Sequence, residues 1–178
     1  MTIIHPIDDF LFQLFPDLQG KAEDYQRLIT AFQDFYTVGP FQPKVTIENG
    51  FAKVEVNISA ISAQKKDYDH AVRLAEQRQY SEAKKVLKGL IKDNPSNSEY
   101  HRIYGQILSD EGDQEGAINH LIDALRWNPR NNHALTMMGN IYAKFNNDVD
   151  TALLYYEQAV RQNPKDNIAL NNIGANLM

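Results

Sequence analysis

The sequence predicts a mainly α chain, a repeat array of helical hairpins preceded by a small α+β unit of two helices and a β-hairpin. Three observations carry that prediction. Asn-Pro recurs at Asn94-Pro95, Asn128-Pro129 and Asn163-Pro164, which sets the prolines 34 and then 35 residues apart. Small residues keep the same step, with Ala83, Ala117 and Ala152 in one series and Gly105, Gly139 and Gly174 in another. Residues 1–60 lack this period and instead hold an amphipathic helical stretch and an alternating stretch with Asn-Gly at its centre.

Taken in order, Pro6 to Phe15 reads as a short apolar helix, with Pro6 suited to a first turn and Pro16 to its end. Gly20 breaks the chain. KAEDYQRLITAFQDFY then spaces Ala22, Tyr25, Leu28, Ile29, Phe32, Phe35 and Tyr36 by steps of three and four, an amphipathic helix that Gly39-Pro40 and Pro43 close. Val45 and Ile47, then Ala52, Val54, Val56 and Ile58, alternate with polar residues on either side of Asn49-Gly50, the signature of a hairpin. Two strands alone are marginal in water, so the aromatic helices, the first repeat or a second copy of the chain must cover their apolar face. Unpaired strand edges make homodimerisation through this unit a further expectation. Phe10, Phe12, Phe15, Phe32 and Phe35 are expected in its core.

The array is expected to fill residues 61–178, with repeats at 64–97, 98–131 and 132–166 and one first-type helix at 167–178. Within each unit a small residue precedes a large one, as Gly105-x-x-Leu108, Gly139-x-x-Tyr142 and Gly174-x-x-Leu177, and then as Ala83/Leu87, Ala117/Leu121 and Ala152/Tyr156. Small side chains at these points let two helices approach closely. The prolines cannot continue a helix, because they lack the amide donor and clash with the preceding turn, so each closes one unit. Trp127, just before such a turn, is expected to pack between units. The third unit carries one extra residue near Asn146-Asn147-Asp148-Val149-Asp150, which a loop can absorb.

This pattern resembles the tetratricopeptide repeat family, whose unit is a pair of antiparallel helices. The resemblance covers about residues 64–178 and implies a right-handed solenoid of helical hairpins. The first unit departs from the pattern, offering Asp67, His70 and Ala71 where an aromatic residue and glycine are usual, and reads as a degenerate or capping copy. Ile173 and Leu177 remain on the apolar face of the last helix, where an array needs a polar cap, so the chain is expected to be a fragment of a longer one, with that exposed helix a second route to dimerisation.

Composition narrows function further. The 178 residues are 43% hydrophobic and 23% charged, enough for a sizeable core. No run of about 18 apolar residues could span a bilayer, and MTIIHPIDDF lacks the basic and apolar segments of a signal peptide, so a cytoplasmic protein is expected. A chain without cysteine has no disulfide, thiolate metal site or cysteine nucleophile. The formal charge of -5, with eight acidic against four basic residues in 1–60, argues against nucleic acid or an anionic membrane as partner. No phosphate loop, dinucleotide fingerprint, hydrolase elbow, zinc-protease or EF-hand spacing occurs. His5, His70, His101, His120 and His133 lack two-ligand helical spacing, and Asp8-Asp9 and Asp148/Asp150 read as a helix start and a loop. No enzyme activity, metal or cofactor is therefore expected.

What the resemblance implies is a groove lined by the first helix of each repeat, suited to an extended peptide or a partner's helix. By position it would present Lys65, Tyr68, Val72 and Glu76, then Glu99, Arg102, Gln106 and Asp110, then His133, Thr136, Asn140 and Lys144, then Ile168 and Asn171. The carboxylate clamp of some members needs lysines, asparagines and an arginine over three repeats. From the first repeat those places hold Tyr68, Val72, Ile103, His133 and Met137, from the second Arg102, Gln106, Met137, Ile168 and Asn172, and from the third Thr136, Asn140 and Asn172, where only the two asparagines fit, so that clamp is not expected. A protein-protein interaction scaffold is the leading expectation. The alternative is a non-catalytic N-terminal recruiting or oligomerisation region of a larger enzyme or secretion factor.

Overall fold

The computed structural model describes residues 1–7 and 22–176. It divides into two compact units, Met1–Lys66 and Asp67–Met178.

The first unit is built on a three-stranded antiparallel sheet ordered β1-β3-β2, with β1 at Thr2–Pro6, β2 at Lys44–Glu48 and β3 at Phe51–Glu55. The expected hairpin is present as β2 and β3. Asn49 and Gly50 both have positive φ, 53° and 78°, the turn geometry whose twist matches the flanking strands. The third strand, β1, is new: Pro6 ends a strand instead of opening a helix, and lies opposite Phe51. The rest of the helix expected over Pro6–Phe15, with Phe10, Phe12 and Phe15, lies outside the described residues. Ile58 also leaves the expected strand and begins a helix, because Asn57 Oδ1 accepts from the Ala60 amide and turns the chain.

Helix α1 (Ala22–Tyr36) covers one face of the sheet. Val45, Val54 and Val56 are buried there with Ile3, Ile29, Phe32 and Tyr36 packed against them. His5 stacks on Phe32 at 4.9 Å between ring centres, and its Nε2 lies 2.7 Å from the Tyr36 hydroxyl. Phe35, expected in the core, is 79% exposed instead. Near the C-terminal end of α1, its ring meets that of Tyr36 edge-on at 4.9 Å between centres.

Seven further helices follow: α2 (Ile58–Glu76), α3 (Tyr80–Asp93), α4 (Ser98–Glu111), α5 (Gln114–Trp127), α6 (Asn132–Lys144), α7 (Val149–Gln162) and α8 (Asn167–Asn176). They form a tetratricopeptide-type solenoid of helical hairpins, α2/α3, α4/α5 and α6/α7, with α8 opening a further unit. Ala71, Ala83, Ala117, Ala152 and Ala159 are fully buried, and the larger residues Leu87, Leu121 and Tyr156 are sealed behind them. Burying such a side chain contributes about 1.5–3 kcal/mol each. Each hairpin turns through one left-handed residue at the same repeat position: Arg78 at φ 58°, Gly112 at φ 90° and Asn147 at φ 50°. The extra residue of the third repeat is taken up around that turn, where α6 is one residue shorter than α4 and residues 145–148 replace 112–113 as the connection.

Two expectations fail locally. Trp127 is 50% exposed at the end of α5 rather than packed between repeats. Gly174 has no atom within 4 Å of where a Cβ would stand, so close approach does not require glycine there. Among the described residues, no helix is long and apolar enough to cross a membrane.

Candidate functional site

The first helix of each hairpin enters from an Asn or Asp whose side chain caps it. Asn97 Oδ1 accepts from the Glu99 amide, Asn131 Oδ1 from Ala134 and Asp166 Oδ1 from Ala169. The later two caps also tie neighbouring repeats together. Asn131, only 4% exposed, donates through Nδ2 to Ser98 Oγ at 2.8 Å and Glu99 Oε1 at 2.7 Å, and Ser98 Oγ in turn donates to the Ala124 carbonyl at 2.8 Å. One repeat later, Asn132 Nδ2 donates to Asp166 Oδ2. These bonds set the spacing of successive first helices and so fix what lies between them.

Between α4, α6 and α8 lies a cleft of about 940 Å³. Arg102, Gln106, His133, Thr136, Asn140 and Lys144 line it, all from the first helices of the second and third repeats. Ile168 and Asn176 of α8 border it as well. A smaller hollow of about 200 Å³ adjoins it between α2 and α4, sharing Arg102, Gln106 and Asp110 and adding Val72 and Glu76. Asn171, exposed on α8, lines neither, Tyr68 and Glu99 likewise line neither, and Lys65 belongs to the N-terminal unit.

Several of these side chains already have internal work. Glu99 accepts from Arg102 Nε at 2.9 Å and from Tyr68 at 3.4 Å, besides Asn131. Burial alone would raise its carboxyl, but the Arg102 hydrogen bonds and charge, with Asn131 and Tyr68, hold it below the usual carboxylate value. Arg102 is thus a braced wall residue, its side chain only 13% exposed. Asp110 accepts from the Tyr80 hydroxyl at 3.0 Å, and Glu111 pairs with Lys84 at 2.5 Å.

Three groups of the lining keep unused hydrogen-bonding or charge capacity. Thr136 is 7% exposed and its buried Oγ1 has no hydrogen-bond partner among the described residues, although burying a hydroxyl unpaired costs on the order of 1–3 kcal/mol. Asn140 Oδ1 accepts from Tyr156 Oη and from Asn172 Nδ2, both at 2.8 Å. Those donors fix the amide's orientation and leave Nδ2, with its two protons, as the end that can donate outward. Lys144 Nζ lies 5.1 Å from the Phe145 ring centre, a cation held at the rim by its neighbour's π-face. Among the described residues no three metal-ligating side chains come together.

A tetratricopeptide repeat profile matches residues 68–132, and a second matches 134–168. The chain belongs to the tetratricopeptide repeat family. No curated protein matches it. Solved structures similar to this tetratricopeptide array include the first such domain of Spaghetti (RPAP3) bound to the HSP90 peptide SRMEEVD, at 15% identity and TM-score 0.60, covering 64% of this chain and 90% of that one. The Arabidopsis OM64 domain aligns at 15% identity and TM-score 0.59, covering 65% and 94%. The Yersinia enterocolitica type III secretion chaperone SycD, in complex with a peptide of the translocator YopD, aligns at 12% identity and TM-score 0.59, covering 65% and 93%. At these identities the likeness is one of fold.

Sequence reasoning missed part of this tetratricopeptide cleft. Asn176 and Tyr156 border it, and Asn172, not Asn171, reaches Asn140. Asn140, expected to be a free ligand contact, also supports the buried Tyr156 hydroxyl. His101 is buried, at 6% exposed, with its Nε2 2.9 Å from the Pro95 carbonyl and its Nδ1 3.3 Å from His120 Nδ1. The two histidines stand 19 residues apart on different helices, beyond the reach of any local spacing rule.

Proposed function

We propose that residues 61–178 act as a protein-interaction scaffold that takes an extended peptide into the cleft between α4, α6 and α8. The observation that carries this is Thr136, a buried hydroxyl without a partner on the wall of a 940 Å³ cleft, beside an Asn140 amide oriented to donate. Both groups match what a peptide backbone offers, which is a carbonyl and an amide at every residue. Lys144 adds a positive charge at the rim, while Asp110 accepts from Tyr80 and Glu111 is paired with Lys84, so a peptide with an acidic side chain is favoured over a basic one. Related arrays in complex with the HSP90 and YopD peptides support the reading by analogy of fold. Self-association through the outer edges of β1 or β2 would be a separate property of the N-terminal unit.

The test is selection from a random heptapeptide library displayed on phage, using the full chain as bait. Selected peptides are expected to weaken by about tenfold or more on Thr136→Val with Lys144→Ala, roughly the loss of one or two hydrogen bonds. Glu157→Ala on α7, which does not line the cleft, should leave them unchanged. Equal binding by all three proteins would refute the cleft as the site.

A further inference from the structure

Helices α4 and α5 meet over an unusual pair. His101 on α4 and His120 on α5 point the same ring nitrogen at one another, Nδ1 to Nδ1, at 3.3 Å, with ring centres 5.4 Å apart. A carbonyl oxygen can only accept, so the 2.9 Å contact to Pro95 places a proton on His101 Nε2. Neutral His101 therefore presents a bare Nδ1 to its neighbour, and His120 must donate from its own Nδ1. One carbonyl outside the pair thus dictates both tautomers.

The surroundings limit how this pair can accept protons. One added proton can be shared: His101 Nδ1–H donates to a His120 that has shifted to the other tautomer. A second proton places two N–H groups nose to nose and two positive charges side by side. Asp123 Oδ2 stands 3.8 Å from His101 Nδ1 but is pulled outward by Arg126, which donates to Asp123 Oδ1 at 2.7 Å. Asp113 also favours a charged His120, whereas Lys88 of α3 disfavours it. The Tyr104 ring packs against His120 at 4.4 Å between centres. Burial first, and His101 next, hold His120 below the ordinary histidine value of 6.5. Helices α4 and α5 are at near contact there: a Cβ at Gly105 would stand 3.1 Å from the Ala117 carbonyl and 3.4 Å from His120 Cβ.

We infer that His101 and His120 form a proton-operated latch, closed when the pair is neutral or singly protonated and forced apart by the second proton, which separates α4 from α5. Because the opposite face of α4 carries Arg102 and Gln106, opening the latch moves a wall of the cleft whatever ligand the cleft takes. The sign follows from linkage. Both rings accept protons freely in the unfolded chain near pH 6.5, while the folded pair resists the second one, so stability is full above about pH 6.5 and falls as pH drops through that range.

Imidazole nitrogen NMR on the full, metal-free chain tests this directly. At about pH 7.5, His101 is expected as the Nε2–H tautomer and His120 as the rarer Nδ1–H tautomer. Between about pH 7.5 and 5.5 the two should titrate in coupled steps, while amide protection, taken relative to the intrinsic exchange rate at each pH, falls in α4 and α5 ahead of α6 and α7. His120→Gln, which keeps a donor but cannot titrate, should lose less Tm than the wild type over the same interval, by about 4 °C. Should that variant fail to fold, the wild-type tautomers decide. Independent titration of two Nε2–H rings, or uniform exchange across the repeats, would overturn the latch. A stoichiometric change in both Nδ1 signals on adding zinc sulfate would overturn it in favour of a metal site.

Discussion

The second and third repeats place the same backbone around different contents. In both, a glycine of the first helix lies over a large residue of the second, Gly105 over Leu121 and Gly139 over Tyr156. In the second repeat a Cβ at that point would stand 3.1 Å from both Leu121 Cγ and the Ala117 carbonyl, contacts that a few tenths of an ångström of movement between the two helices relieves. In the third it would overlap the Tyr156 ring, whose residue is 1% exposed and pinned by its hydroxyl to Asn140. The positions of the histidine latch differ too. Leu135 and Tyr155 occupy them in the third repeat, Leu135 buried against Ala159 and Ala169, and Tyr155 stacked on Tyr142 at 5.6 Å. Periodicity therefore fixes where helices must be thin. What fills the space beneath is set separately in each repeat, and with it the response to mutation and pH.

That contrast is sharpest at the glycines. Gly139→Ala is expected to cost about 1–3 kcal/mol by overpacking, and Gly105→Ala less than about 1 kcal/mol, because helix propensity offsets a small adjustment. Thermal or urea unfolding checks the order, and equal losses would erase the distinction drawn between the repeats. Asn140→Ala comes next. It strands the Tyr156 hydroxyl and removes the Asn172 bond, so a loss of about 1–2 kcal/mol is expected where a mere ligand contact would show none. Adding Tyr156→Phe should shrink that penalty in a double-mutant cycle.

The hairpin turns make a second comparison, with a gain in place of a loss. Arg78, Gly112 and Asn147 share one left-handed position, which suits glycine and asparagine but not arginine. Arg78→Gly should stabilise by about 0.5–1 kcal/mol, since the relieved steric cost exceeds the added unfolded-state entropy. An unchanged or lowered Tm would show that Arg78 compensates for its backbone by contacts of its own. The smallest effect belongs to Gly174→Ala on α8, where nothing opposes a Cβ and helix propensity alone should add up to about 1 kcal/mol.

Much of the array was legible because its determinants are local and repeated. Proline ends a helix through its own ring, alanine and glycine thin a helix at their own position, and a step of 34 residues multiplies each signal until chance is excluded. The cleft was partly legible for the same reason: Arg102, Gln106, His133, Thr136, Asn140 and Lys144 follow from which face of each first helix is free. Their chemistry was not. That Arg102 braces Glu99, that Asn140 supports Tyr156 and that Thr136 lacks a partner depend on atoms from neighbouring helices.

The N-terminal unit shows the same division more severely. Helix α1 and the Asn49-Gly50 hairpin declared themselves through period and turn chemistry. Strand β1 did not, because Thr2–Pro6 is short, contains proline, and becomes a strand only by pairing with β3 some fifty residues away. The sequence alone thus determined the period, the family pattern, the thin points of the helices and the face turned to the cleft, all of which arise from interactions within a few residues. Only the tertiary structure decided the third strand, the exposure of Phe35 and Trp127, the orientation of Asn140 and the meeting of His101 with His120. Each of these depends on partners distant in the chain, whose approach is fixed by packing and by the need of buried polar atoms for a mate.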